Sequence, residues 1–125
     1  MSTHYQVLVV GGGTGGIMTA AQLKRKNRNL TIAIIEPNTE HYYQPAWTLV
    51  GAGAFKFEDT KKEERKLIPH GVDWIKDRVT SFDPENNTVQ TKNGGAIRYD
   101  YLIVSTGIKM DIDAMPGLRE ALNTD

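Results

Sequence analysis

Cysteine is absent from this sequence of 125 residues. That absence excludes a disulfide framework, a thiolate zinc site and any thiol redox chemistry carried by the chain's own side chains. An excess of either charge is missing too, because 15 Lys and Arg face 15 Asp and Glu. A chain without net charge has no global field to draw in a phosphate backbone or an anionic lipid surface, so nucleic acid is not an expected partner. Long apolar runs are also lacking. The longest, Leu102-Ile103-Val104 and Ala33-Ile34-Ile35, end within a few residues, far short of the ~20 that span a bilayer, and the expectation is a soluble, cytoplasmic chain. Met1 to Gln6 leads straight into a strand-like run without a basic and then an apolar segment, so no secretory signal is expected. The Asn-x-Thr tripeptides at Asn29 and Asn86 then have no glycosylation to report. No internal repeat or low-complexity tract is present.

With 39% hydrophobic and 24% charged residues, the composition is that of one globular domain, which at this length buries roughly two-thirds of its unfolded surface. Val7-Leu8-Val9-Val10 is a short β-branched run closed by glycines, as suits a parallel strand buried on both faces. Ile17 to Lys26 keeps a helical apolar face and places Lys24, Arg25 and Lys26 in the last turn, which predicts a helix ending near Asn27. Leu30 to Ile35 is a second buried strand stopped by Pro37. Strand, helix and strand form a βαβ unit. Short helices are expected near His41 to Gly53 and near Lys61 to Lys66, the latter as a solvated charged face. Val72 to Ile75 reads as a third strand. Arg78 to Phe82, Thr88 to Thr91 and Ala96 to Tyr99, separated by turn residues, read as an antiparallel meander. Tyr101 to Ser105 reads as a last buried strand, and Ile108 to Asp125 shows no pattern beyond a turn at Met115-Pro116-Gly117.

Between the first strand and the first helix lies Gly11-Gly12-Gly13-Thr14-Gly15-Gly16. Its G-x-G-x-x-G spacing falls on Gly11, Gly13 and Gly16. The first glycine permits a tight turn, the second lets backbone approach a pyrophosphate, and the third lets the helix pack closely on the strand. The helix N-terminus then offers free N–H groups and a partial positive charge to the phosphates. Glu36 ends the second strand, where a carboxylate can accept both hydroxyls of an adenosine ribose. With no Arg just after it, the pattern favours a free 2′-hydroxyl over a 2′-phosphate. Dinucleotide binding is the reading this context supports.

A meander followed by Tyr99-Asp100-Tyr101-Leu102-Ile103-Val104-Ser105-Thr106-Gly107 resembles the FAD domain of flavoproteins with two dinucleotide-binding domains. Within that group, His41-Tyr42-Tyr43-Gln44-Pro45-Ala46-Trp47-Thr48-Leu49-Val50-Gly51-Ala52-Gly53 resembles the corresponding segment of sulfide:quinone oxidoreductases. Gly71-Val72-Asp73-Trp74-Ile75-Lys76 and Arg78-Val79-Thr80 extend the likeness, which covers residues 5 to 118.

The resemblance implies an α/β, Rossmann-like three-layer ββα fold with FAD as cofactor. Gly11, Gly12, Gly13, Thr14, Gly15 and Gly16 would lie at the pyrophosphate and Glu36 with Pro37 at the ribose. Gln44 and Pro45 would lie beside the cofactor, Val79 would offer backbone to the adenine, and Ser105, Thr106 and Gly107 would close the pocket. The rings of Tyr42, Tyr43 and Trp47 read equally well as packing groups. His4, His41 and His70 show no ligand spacing and read as surface or loop residues, and no metal site is expected. No catalytic residue is expected in this chain.

In that family sulfide and a quinone are the substrates, and the reactive cysteines and membrane contacts lie further along the sequence. Residues 1–107 would then be the N-terminal part of a FAD domain and 108–125 its exit segment. Such a fold is incomplete without a strand and helix from the distant C-terminus. An isolated chain would expose an unpaired sheet edge, bind FAD weakly and self-associate. A type II NADH:quinone dehydrogenase shares the flavin fold, and a non-catalytic adenine-dinucleotide module is the reading from a different class.

Overall fold

The computed structural model describes residues 3–123. Its centre is built from strands whose side chains are apolar on both faces. β1 (His4–Val10) is flanked by β2 (Ile32–Ile35) on one side and by a long later strand on the other, both parallel to it. Every residue of β2 is buried. Ile32 and Ile34 pack toward one face with Val7, Val9 and Ala20, while Ala33 and Ile35 pack toward the other with Leu8 and Ile75. Such two-sided burial accounts for the unbroken apolar runs of the sequence.

Helix α1 (Thr14–Lys26) covers the first face through Ala20, with Ile17 and Leu23 packed alongside. Its C-terminal cations stand as expected: Lys24, Arg25 and Lys26 lie in the last turn, and the Lys24 ammonium donates to the carbonyls of Arg28 and Leu30 in the turn that follows. After β2 come β3 (Glu40–Tyr42), a 3-10 turn at Gln44–Ala46 and α2 (Trp47–Gly51). A second 3-10 turn at Phe57–Thr60 leads into β4 (Lys61–Glu63) and α3 (Glu64–Leu67). β5 (Val72–Ile75) pairs with β2 in parallel.

The meander follows as β6 (Val79–Asp83), β7 (Thr88–Thr91) and β8 (Gly95–Val104), antiparallel throughout. The six-stranded order is β5-β2-β1-β8-β7-β6. Val89 and Ile97 of the meander join the cluster of Leu8, Ile35 and Ile75, so the meander packs over the face that α1 leaves open. Helix, parallel sheet and meander are the three layers of a Rossmann-like ββα fold.

Several expectations need correction. The separate strands expected at Ala96 to Tyr99 and Tyr101 to Ser105 are one strand, β8, because the chain there changes partner instead of direction. Its first half pairs with β7 from Gly95 to Arg98 and its second half with β1 up to Val104. The helix expected over Lys61 to Lys66 is half strand. β4 pairs antiparallel with β3, Tyr42 opposite Lys61 and Glu40 opposite Glu63, and this tertiary pairing overrides the helical propensity of lysine and glutamate.

Beyond β8, a 3-10 turn at Ile112–Ala114 and α4 (Leu118–Leu122) occupy a segment whose sequence shows no helical pattern. β7 accompanies β8 only to Arg98. The edge beyond is open, so Tyr101 to Ser105, expected as a buried strand, holds no buried residue and leaves Tyr101 72% and Val104 55% exposed.

Candidate cofactor-binding site

The C-terminal ends of three parallel strands meet at one place. The Gly11 N–H donates to the Ile35 carbonyl, and the Ser105 N–H donates to the Val10 carbonyl, each within 3 Å. The loops after β1, β2 and β8 are thereby tied edge to edge, in the crevice where open α/β sheets bind their ligands.

Gly11 has φ +108°, and a Cβ there would overlap the Ser105 carbonyl; only glycine fits. Gly16 meets a different limit. A Cβ on it would overlap the Gly11 carbonyl oxygen and stand 3.1 Å from Val9, so its lack of a side chain is what lets α1 seat on β1. At the mouth of α1, Gly13 is the N-cap. No side chain caps the helix and its first turn carries no acid. The first N–H groups are thus free for an anion, with the helix dipole behind them.

Two adjoining cavities occupy this crevice. The larger, about 620 Å³, is bordered by Gly12, Gly13, Thr14 and Gly15, by Glu36, by Gln44 and Pro45, and by Ser105, Thr106 and Gly107. The smaller, about 190 Å³, holds Gly11, Glu36, Pro37, Val79 and Thr106. Glu36 and Thr106 border both. The predicted residues are therefore brought together around one bipartite space, except Gly16, which is buried beneath it. A glycine-lined helix mouth, the acid Glu36 and a separate smaller recess with Val79 thus share one elongated space.

Glu36 is held at both oxygens. Oε2 accepts the Gly12 N–H at 2.9 Å and Oε1 accepts the Asn38 N–H at 2.8 Å. Its backbone is fixed as well: the N–H donates to the Ile75 carbonyl, and its carbonyl accepts the Trp74 indole N–H at 2.9 Å.

Among the lining residues of the larger cavity that sequence reasoning did not assign to it, His41 and Glu64 stand against Gly12. His41, expected on the surface or in a loop, stands on β3 with its side chain only 10% exposed. Its Nδ1 lies 3.2 Å from the Gly12 carbonyl oxygen. Glu64, expected on a solvated face, is 1% exposed, 3.5 Å from His41 Nδ1 through Oε2. Burial, and then the charge of Glu36, push its carboxyl up to about 7. No periodicity distinguishes Glu64 from its charged neighbours, because its burial follows from α3 turning back toward the glycine loop.

Tyr42 and Trp47 are packing groups. Tyr42 stacks on Phe57 with centroids 5.8 Å apart, Trp47 meets Tyr42 at 6.2 Å, and the Trp47 indole donates to Thr60 Oγ1. Tyr43 is 52% exposed. Among the described residues no cluster of His, Asp and Glu could hold a metal ion, and no helix is long and apolar enough to cross a membrane.

A Rossmann-like fold with a meander crossover, a glycine loop at the helix mouth and an acid at the end of β2 defines a dinucleotide-binding α/β protein. The family model of pyridine nucleotide-disulphide oxidoreductases matches residues 5–124, and the chain belongs to that family. It is 51% identical over 118 residues to the mitochondrial sulfide:quinone oxidoreductase of Dictyostelium discoideum, covering 94% of this chain and 26% of that protein. To the mitochondrial enzyme of the same name from Mus musculus it is 46% identical, with 94% and 26% covered. The solved sulfide:quinone oxidoreductase of Aquifex aeolicus superposes with a TM-score of 0.72 at 35% identity, over 88% of this chain and 25% of that one. The chain spans about a quarter of the length of the curated relatives it matches.

Proposed function

We propose that this chain forms the cradle for the ADP half of FAD in an oxidoreductase that takes electrons from sulfide and passes them through the flavin to a quinone. The observation that carries the reading is the convergence of Gly12 to Gly15, Glu36, Gln44, Pro45 and Ser105 to Gly107 on one cavity, with Pro37 and Val79 in the recess beside it. High identity to sulfide:quinone oxidoreductases supports the substrate assignment. So does the His41 to Gly53 segment, which favours sulfide over the NADH chemistry of a type II dehydrogenase.

When bound, the flavin supplies the electron-transfer chemistry. This chain's residues bind and orient it: the open N-terminus of α1 faces the pyrophosphate, Glu36 accepts the ribose hydroxyls, and the Ser105 hydroxyl holds the loop after β8 against the Gly11 carbonyl at 3.3 Å. With no cysteine in the sequence, the sulfur chemistry belongs to other parts of such a protein. So do the quinone and any contact with a membrane surface. Residues 1–107 act as the cofactor-holding part, and 108–125 lead out of it.

The open edge of β8, with Tyr101 and Val104 exposed and Ile108 exposed beyond its end, makes the chain self-associate and hold FAD weakly. Flavin fluorescence titration, with NAD tested in parallel by calorimetry, tests the assignment. Saturable FAD binding stronger than NAD binding supports it. Clear NAD binding without FAD binding overturns it.

A further inference from the structure

We propose that Glu64 and His41 are positioning residues for the cofactor: they fix the Gly12 backbone from beneath, so that Glu36 keeps its remaining lone pairs turned toward the ribose hydroxyls. This rests on the cofactor reading above. Both polar groups of Gly12 are taken by side chains, its N–H by Glu36 at 2.9 Å and its carbonyl by His41 at 3.2 Å. A carbonyl oxygen only accepts, so this bond places a hydrogen on Nδ1 of His41. The same nitrogen lies 3.5 Å from Glu64 Oε2.

The other Glu64 oxygen, Oε1, is buried without a partner, and it is packed against Gly12: a Cβ on Gly12 would overlap it and would stand 2.7 Å from Glu36 Cγ. Three elements hold this arrangement, since Glu36 follows β2, His41 is on β3 and Glu64 opens α3. The Glu64 N–H donates to the Thr39 carbonyl at 2.9 Å, which anchors α3 to the loop that carries Glu36.

The charge balance of the cavity gives Glu64 its consequence. Its described lining includes Glu36, Glu40 and Glu64 and no Lys or Arg. Glu40 is answered by Lys61 from outside the lining. A pyrophosphate in this space is therefore opposed by acid charge and, with no Lys or Arg in the lining, relies on neutral donors and the α1 dipole. A buried carboxyl with an unpartnered oxygen is costly as an ion and holds its proton. The groups facing it are Glu36 and His41, and of these Glu36 favours the protonated form. With Glu64 neutral, its buried carboxyl adds no charge to that of Glu36 at the ribose. Ionised Glu64 adds a second negative charge beneath the phosphates.

Binding of ADP-ribose to the 125-residue chain, followed by calorimetry from pH 5.5 to 8.5, tests this. The probe carries the ribose and pyrophosphate but no phosphate group titrating near neutrality. The wild-type affinity falls about tenfold across the range, the size expected of one added charge about 12 Å away at an effective dielectric of about 20. Glu64→Gln binds with one affinity throughout. His41→Ala weakens binding, and His41→Asn, which keeps a donor near the position of Nδ1, restores part of it.

Parallel pH profiles for wild type and Glu64→Gln, with binding intact, overturn the positioning role and leave the cofactor reading standing. No binding at any pH by a chain with native circular dichroism overturns both. Should Glu64→Gln fail to fold, wild-type binding enthalpies at pH 7 in buffers of different ionisation enthalpy decide the matter. Proton uptake on binding supports the role, and its absence overturns it.

Discussion

Replacing Glu64 by glutamine removes a pH dependence that the wild-type fold carries on its neutral side. The side chain is 1% exposed, and burial followed by the Glu36 charge raises its carboxyl from 4.5 to about 7. The folded state therefore binds this proton more tightly than the unfolded chain does. The stability so contributed is fully present below pH 4.5 and is lost as pH rises through 7. At about 1.4 kcal/mol per pKa unit, the loss is about 3 kcal/mol by pH 8, a large part of the ~5–15 kcal/mol typical of a domain.

Urea unfolding followed by Trp47 and Trp74 fluorescence at pH 4.5, 6 and 8 measures it. The stability of Glu64→Gln relative to wild type rises by about 3 kcal/mol between the ends of that range, seen as a shift of the urea midpoint by roughly 1–3 M. An acid-side limb, read by extending the same series below pH 3.8, acts as an internal control. Burial opposes the charge of Asp77, yet the N–H groups of Arg78, Asn93 and Gly94 and the Thr91 hydroxyl hold its carboxyl down to about 2. Its contribution is present above pH 3.8 and is lost as pH falls through 2, in both proteins alike. Wild type and Glu64→Gln falling together between pH 4.5 and 8 would refute the reasoning.

Three further substitutions follow from the site and the open edge. Gly16→Ala drives a methyl group into the Gly11 carbonyl and lowers stability by about 1–3 kcal/mol, read from the urea midpoint. Glu36→Gln removes the charged acceptor from the ribose position and weakens ADP-ribose binding by roughly 10- to 100-fold, as a hydrogen bond to a charged group implies, with circular dichroism unchanged. Tyr101→Lys places a charge on the open stretch of β8 and shifts sedimentation velocity toward the monomer.

The parallel strands were legible because a strand buried on both faces has to be written in apolar residues, as β2 is from Ile32 to Ile35. The glycine loop was legible for a related reason: Gly11 and Gly16 stand where backbone touches backbone, and no other residue type fits. Where a residue's fate depends on a distant partner, the pattern falls silent. β4 is a strand because β3 lies beside it, and nothing within Lys61 to Lys66 encodes that neighbour. Glu64 shows the same limit more sharply, since one carboxylate in a charged run is buried only because α3 turns it toward Gly12. The break expected between Tyr99 and Tyr101 has another origin: β8 changes partners midway, and a strand that does so runs on without a turn.

The partner change along β8 also orders events in time. β1, α1, β2 and β5 lie within the first 75 residues and can associate before the rest of the chain is available. The wall formed by Ser105 to Gly107 joins only when β8 docks against β1, and the Ser105 hydroxyl then meets a carbonyl 94 positions earlier in the chain. Closing a loop of that length is slow compared with local pairing. The βαβ half of the site with its helix mouth therefore forms early, and the nucleotide cavity gains its last wall only when nearly the whole chain has been committed to the fold.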